Sequence, residues 1–173
     1  TRVQEIIHQH HEERIRDEMQ QLSKLLDAHQ WVEAYQYAAK MRRLYPESPL
    51  LHDLEQRIAS VRTEYGHQLE ERFLQAAKND DIETSMALLR ELDGYLTPEE
   101  ARRFRDTANS VITTYRESLG ARFKMAISEQ RWRDANEFGE ELIRQFPNTK
   151  MALTVADMLE TIQVRAVEDE TAS

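Results

Sequence analysis

The densest group of metal-ligating side chains lies near the N-terminus, where His8, His10 and His11 stand beside Glu5 and Glu12. On a helix, His8, His11 and Glu12 fall at i, i+3 and i+4, so imidazole and carboxylate share the face a divalent cation would need. Every residue from His8 to Arg14 is polar, however, so no packed surface would fix that geometry. Solvation accounts for the cluster, and no metal site is expected. His29, His52 and His67 are scattered, and capping or surface roles suffice for them. The adjacent acids Asp80-Asp81 and Glu140-Glu141 have the residue type for general acid–base work, but helix-surface acids are expected in a chain that is 32% charged. There is no glycine-rich phosphate loop, no GxSxG, no HExxH and no cysteine nucleophile. The residues predict a non-enzymatic protein with no catalytic group and no cofactor.

The elements that carry these residues are helices. Four Gly and four Pro in 173 residues, with abundant Leu, Ala, Glu, Gln and Arg, predict an all-α chain. Straight-chain residues lose little rotamer freedom in a helix. A net charge of −9 argues against nucleic acid, whose binders need excess Lys and Arg to displace counterions. The basic clusters Arg42-Arg43 and Arg102-Arg103-Arg105 have acidic neighbours and read as solvated faces. No apolar run approaches 18 residues, so no membrane insertion is expected of this segment. The absence of cysteine fits a soluble domain in a cytoplasmic or an extracytoplasmic setting alike. The start at Thr1 is that expected of an excised domain or processed product, with room for an upstream signal or anchor.

Apolar spacing predicts seven helices, alternately long and short. The first carries the stripe Ile15, Met19, Leu22, Leu26 and ends near His29-Gln30. A short helix follows from Trp31 to Tyr45, with Trp31, Ala34, Ala38, Met41 and Leu44 inward, and Pro46 stops it. Ser48 as cap and Pro49 at the first position open a long helix to about Asn79 along Leu51, Leu54, Ile58, Val61, Tyr65, Leu69, Phe73 and Ala76. Gly66 marks a kink or a close approach within it. Asp80 or Asp81 caps a short helix, Ile82 to Asp93, that Gly94 terminates as a C′ residue. Thr97-Pro98-Glu99-Glu100 starts a long helix that reaches about Gln130 and contains Gly120. Trp132 to Phe146 is the third short helix, and the last begins near Asn148. The polar tail 167–173 is expected to be disordered.

These elements recur. Trp31, Ile82 and Trp132, spaced by 51 and 50 residues, each open a short helix that closes on a turn. The first and third units align without a gap at an offset of 101: Trp31 with Trp132, Ala34 with Ala135, Arg43 with Arg144, Pro46 with Pro147. Apolar positions follow, with Leu22 matching Phe123, Leu54 matching Val155 and Ile58 matching Leu159. Ile82, Ser85 and Leu92 carry the middle unit. A single domain over 1–166 with repeats at about 15–65, 66–115 and 116–166 is expected, and such arrays usually present binding surfaces.

The short helix and its turn resemble the second helix of a tetratricopeptide repeat (TPR). There an aromatic residue opens the helix, a small residue follows three later, and Pro closes the unit fifteen after the aromatic. Trp31, Ala34, Pro46 and Trp132, Ala135, Pro147 fit, and Ile82, Ser85, Thr97 are a degenerate version. Together with Ile82 and Ser85, the two matching triplets are the expected repeat-packing residues. The resemblance implies a right-handed solenoid whose concave face is lined by the helix before each marker. Matched by position, that face carries Arg16, Met19, Ser23 and Asp27, then His67, Glu70, Leu74 and Lys78, then Glu117, Gly120, Lys124 and Ser128. Family members that clamp a terminal carboxylate use Lys, Asn and Arg where this chain has Met19, Glu70 and Gly120, so that clamp is absent. The family's 34-residue period is exceeded by about four helical turns. Leu22, Phe73 and Phe123 replace its usual small residue. A scaffold domain with a protein or peptide partner is the leading expectation. The alternative is a spacer or homo-oligomerisation domain of a larger protein with room for a membrane anchor, and a third is a metal-responsive domain using the N-terminal histidines.

Overall fold

Helix propensity decides the secondary structure. The computed structural model describes residues 1–172, and among them the chain is helical throughout, with no strand. Its elements are α1 (Arg2–Asp27), α2 (Trp31–Leu44), a 3₁₀ turn (Pro49–Leu51), α3 (Leu54–Lys78), α4 (Ile82–Asp93), α5 (Pro98–Arg103), α6 (Arg105–Ser128), α7 (Trp132–Gln145) and α8 (Lys150–Ala172). No helix among the described residues is long and apolar enough to cross a membrane.

Among the described residues eight α-helices replace the expected seven, because the long segments break near their starts. Pro49 initiates only a 3₁₀ turn, and Ser48 makes no side-chain cap bond. The anchor is instead Leu51, 1% exposed, with Arg57 donating to Asp53 at 3.1 Å and to the Leu50 carbonyl at 2.9 Å. Beyond Thr97, whose capping box with Glu100 forms as expected, the chain bends at Phe104, where φ is −102° and ψ 1°. No Gly or Pro at 103–105 announces that break. α8 continues through Ala172, with Arg133 paired to Glu170. Ser173 lies outside the described residues.

The three joints between a long and a short helix share one geometry. Among the described residues His29, Asp80 and Gln130 are the non-glycine residues with positive φ, at 58°, 55° and 58°. Each precedes its marker by two positions. In each joint the next residue bonds back five positions: Gln30 N to Leu25 O at 2.9 Å, Asp81 N to Ala76 O at 3.0 Å, Arg131 N to Ala126 O at 2.8 Å. The left-handed residue itself donates three positions back, to Leu26, Ala77 and Ile127. This is the Schellman motif, which satisfies carbonyls that a helix end would otherwise orphan. The N-caps of α2, α4 and α7 agree as well, with φ/ψ of −90/76°, −83/81° and −85/73°. At the other end of the short helices, Tyr45 (−131/62°) matches Phe146 (−133/54°). Gly94, which ends α4 as expected, has φ of −70°. The left-handed turns fall on His, Asp and Gln instead.

The chain packs as two compact units, one from Thr1 to Glu71 and one from Arg72 onward. The boundary falls within α3. In the first unit Ile15, Leu22, Ala34, Ala38, Met41, Leu51, Leu54 and Ile58 form the core, with Trp31, Tyr35 and Tyr45 packed against it. Leu44 and Val61, expected inside, are 59% and 42% exposed. In the second unit α6 packs on α4 and α7, and α7 packs on α8. Its cluster of Leu119, Phe123, Ala126, Ala135, Leu142, Val155 and Ile162 is bordered by Trp132, Phe138 and Phe146. Leu22, Ala34, Met41 and Leu54 thus have counterparts in this cluster at the offset of 101, and Trp31 and Tyr45 have counterparts beside it.

Candidate interaction surfaces

Each predicted surface residue sits on the helix that precedes a joint. On α1, Arg16 and Asp27 are exposed, while Met19 packs half-buried against the first core. On α3, His67 and Lys78 are exposed and Glu70 is half-buried; Lys78 belongs to the second unit. Glu117 and Lys124 are exposed on α6. Arg16 and Asp27 line different pockets: Arg16 one of about 430 Å³ with His11, Tyr45 and Leu50, Asp27 one of about 410 Å³ with Trp31, Glu64 and Tyr65. The surface residues of α1 are therefore spread along the helix rather than gathered at one point.

The repeat-packing residues divide by size. Ala34, Ser85 and Ala135 are fully buried, each 0% exposed, which lets neighbouring helices approach closely. The Ser85 hydroxyl donates to the Asp81 carbonyl at 2.7 Å, so the one buried polar member is satisfied. Trp31, Ile82 and Trp132 are half-buried, and Pro46 and Pro147 stand exposed in their turns. The prolines act by ending helices rather than by packing.

No family model, curated protein or solved structure matches this chain. Its surfaces must be read from their own geometry.

Of the paired carboxylates, Glu141 is structural. It accepts from the Tyr115 hydroxyl of α6 at 3.1 Å, lies 3.7 Å from Arg90 of α4 and pairs with Arg144 of its own helix. The Arg90 guanidinium also sits 5.6 Å from the Tyr115 ring centre. Three helices converge on one carboxylate whose side chain is 21% exposed. Glu141→Gln should cost about 1–2 kcal/mol in urea unfolding, because a charged acceptor is lost from a partly desolvated bond. A cost shared non-additively with Tyr115→Phe would identify the same bond. Glu140 is exposed and accepts from Asn136 at 3.3 Å. Asp81 caps α4 by accepting from Thr84 N at 3.3 Å, whereas Asp80 occupies the left-handed turn. At the third joint, Arg131 donates to Glu129 and Asp134, both at 2.7 Å, and these bonds hold its pKa above the ordinary guanidinium value.

The N-terminal histidines do not converge. His8 meets Glu12 at 3.1 Å on an open surface, and His11 lies edge-on to Tyr45 at 5.9 Å. Among the described residues no group of three or more His, Cys, Asp or Glu is placed to hold a metal ion.

Gly139 is the packing residue that the repeat pattern leaves unmarked. A Cβ there would lie 3.0 Å from Leu159 Cδ1, 3.0 Å from Val155 Cγ1 and 3.2 Å from Phe123 Cε2. Its counterpart at the offset of 101 is Ala38, 0% exposed, and Phe123's counterpart is Leu22. The first unit thus carries a methyl where the second carries a larger ring. The Ala38–Gly139 correspondence was the sequence signal that would have found it. His29, Asp80 and Gln130 had no such signal, since their residue types differ.

Proposed function

We propose that this chain is a non-enzymatic, TPR-like helical-repeat domain that binds a protein or peptide partner through an exposed helical face. The observation that carries the reading is the recurrence of one Schellman joint, with His29, Asp80 and Gln130 left-handed two residues before Trp31, Ile82 and Trp132. Conformation repeated at a fixed period is the mark of stacked units, whose extended faces recognise other chains. The exposed Arg16, Asp27 and His67 of the first unit, with half-buried Met19 and Glu70, and the exposed Lys78, Glu117 and Lys124 of the second each supply mixed charge suited to a polar peptide.

Photo-crosslinking tests this directly. A photoreactive residue at Arg16, Asp27 or Lys124 should capture one and the same protein, and one at Val32 or Glu137 on the short helices should not. Capture without dependence on position would contradict the reading.

A spacer or homo-oligomerisation role is favoured by a different observation. Val3, Ile6 and Ile7 of α1 are 66%, 62% and 51% exposed, and Leu153, Val164 and Val167 of α8 are 62%, 53% and 58% exposed. Light scattering separates the two roles: a partner-binding module stays monomeric across concentration, and an oligomerisation domain does not.

A further inference from the structure

A cavity of about 660 Å³ lies between the end of α2 and the start of α3, wholly within the first unit. Gln36, Arg43, Ser48 and His52 bring hydrogen-bond donors to its lining. Arg42 and Glu55, also in the lining, pair with each other at 2.9 Å. Leu51, 1% exposed, and Tyr45 supply an apolar wall beside the donors.

The matching positions in the second unit are acidic. At the offset of 101, Gln36, Ala39 and Lys40 correspond to Glu137, Glu140 and Glu141, and His52 corresponds to Leu153. Arg144, the counterpart of Arg43, is paired with Glu141 one helical turn earlier. Thr149, the counterpart of Ser48, has its hydroxyl engaged, donating to the Phe146 carbonyl at 2.8 Å and accepting from Ala152 N at 3.2 Å.

The first unit lacks each of these engagements. Lys40 stands where an acid would reach Arg43. The side chains of Gln36, Arg43 and His52 make no ion pair or hydrogen bond with the described residues. Ser48 makes no side-chain cap bond. Because Arg42 offsets Glu55, Arg43 leaves the lining with net positive charge, and Lys40 adds to it from the next turn of α2. Basic residues in a last helical turn offset the helix dipole, and Arg144 is placed to do so as well; that role does not require the three acids to be lost.

We infer that this cavity binds a phosphate group, as the free ion or as the head of a small phosphomonoester. A guanidinium, a hydroxyl, an amide and an imidazole offer more donors than the two oxygens of a carboxylate can use. A phosphate monoester presents three acceptor oxygens with a charge of about −1.5 to −2. The wall of Leu51 and Tyr45 gives a carbon substituent an apolar surface to lie on. The site goes beyond the interaction surface proposed above and stands without it.

Isothermal titration calorimetry of the whole chain with inorganic phosphate and with glycerol phosphate tests the assignment, with acetate as the carboxylate control. Saturable binding of phosphate or its ester, and none of acetate, is expected. Tighter binding of glycerol phosphate assigns the esterified source; equal or weaker binding assigns the free ion. Lys40→Glu should weaken binding about tenfold or more, because it gives Arg43 the partner that Arg144 has. His52→Leu, which copies the second unit, should weaken it about threefold. Arg14→Gln removes a positive charge outside the cavity and should leave the affinity unchanged. All three positions are exposed, and unchanged circular dichroism verifies that the variants fold. No saturable heat, equal binding of acetate, an equal loss in Arg14→Gln, or full binding in Lys40→Glu would overturn the site. Its failure would leave the crosslinking test of the interaction reading untouched.

Discussion

Gly139→Ala is expected to destabilise the chain by about 1–3 kcal/mol, the usual range for overpacking a filled core. On an exposed helix the same substitution would stabilise by about 1 kcal/mol. The sign reverses because the added methyl would meet Leu159, Val155 and Phe123, all within 3.2 Å. None of these neighbours is the loose end of a long polar side chain. Phe123 is 4% exposed and Val155 2% exposed, so neither has solvent to move into. The first unit shows how the strain is relieved, since Leu22 and Ala38 fill the same two positions there. Phe123→Leu alone should cost about 1–2 kcal/mol through the space it leaves. The double variant should recover at least about 1 kcal/mol of the summed losses, since the residues are in contact. Urea unfolding of the four proteins measures this, and strictly additive losses would deny that the two positions share one space.

Trp132→Ala should cost about 2–4 kcal/mol. The upper part of the usual range for buried aromatics is withheld because the ring is only half-buried. It packs against the Leu119, Phe123 and Leu142 cluster on one side and carries Arg165 at 4.7 Å. Truncation therefore removes apolar burial and a cation–π contact together. Arg165→Gln should remove only the second part, about 0.5–1 kcal/mol. Thermal and urea unfolding followed by circular dichroism give both values. A loss below about 1 kcal/mol for Trp132→Ala would place the ring on the surface and leave the repeat without its marker.

The helical class was legible because nothing in the composition competes with helix: Gly and Pro are rare, and most of the Pro residues fall at turns. The three markers were legible because tryptophan and isoleucine need burial at a fixed period. Thr97 and Glu100 announced their capping box by spacing alone. Other features left no trace. The Phe104 bend follows no breaker residue. Leu44 pointed inward by periodicity yet is 59% exposed, because the turn that follows it leaves the helix end uncovered. The left-handed joints were hidden for a different reason. Histidine, aspartate and glutamine are not the glycine that such a position favours, so conformation recurs there while residue type does not. Arg165 was equally invisible, because only the ring contact at Trp132 shows that it faces an indole.

Fold and function both rest on the claim that one joint occurs three times. Replacing His29, Asp80 and Gln130 singly by glycine, with urea unfolding for each, tests it most directly. A right-handed helical residue loses about 1 kcal/mol on replacement by glycine, whereas a left-handed one is relieved. Gln130→Gly and Asp80→Gly should each gain about 0.5–1 kcal/mol. His29→Gly should gain less, because its ring stacks on Tyr65 at 3.7 Å. A loss of about 1 kcal/mol at Asp80 or Gln130 would contradict the left-handed joint there, and with it the three-fold repeat.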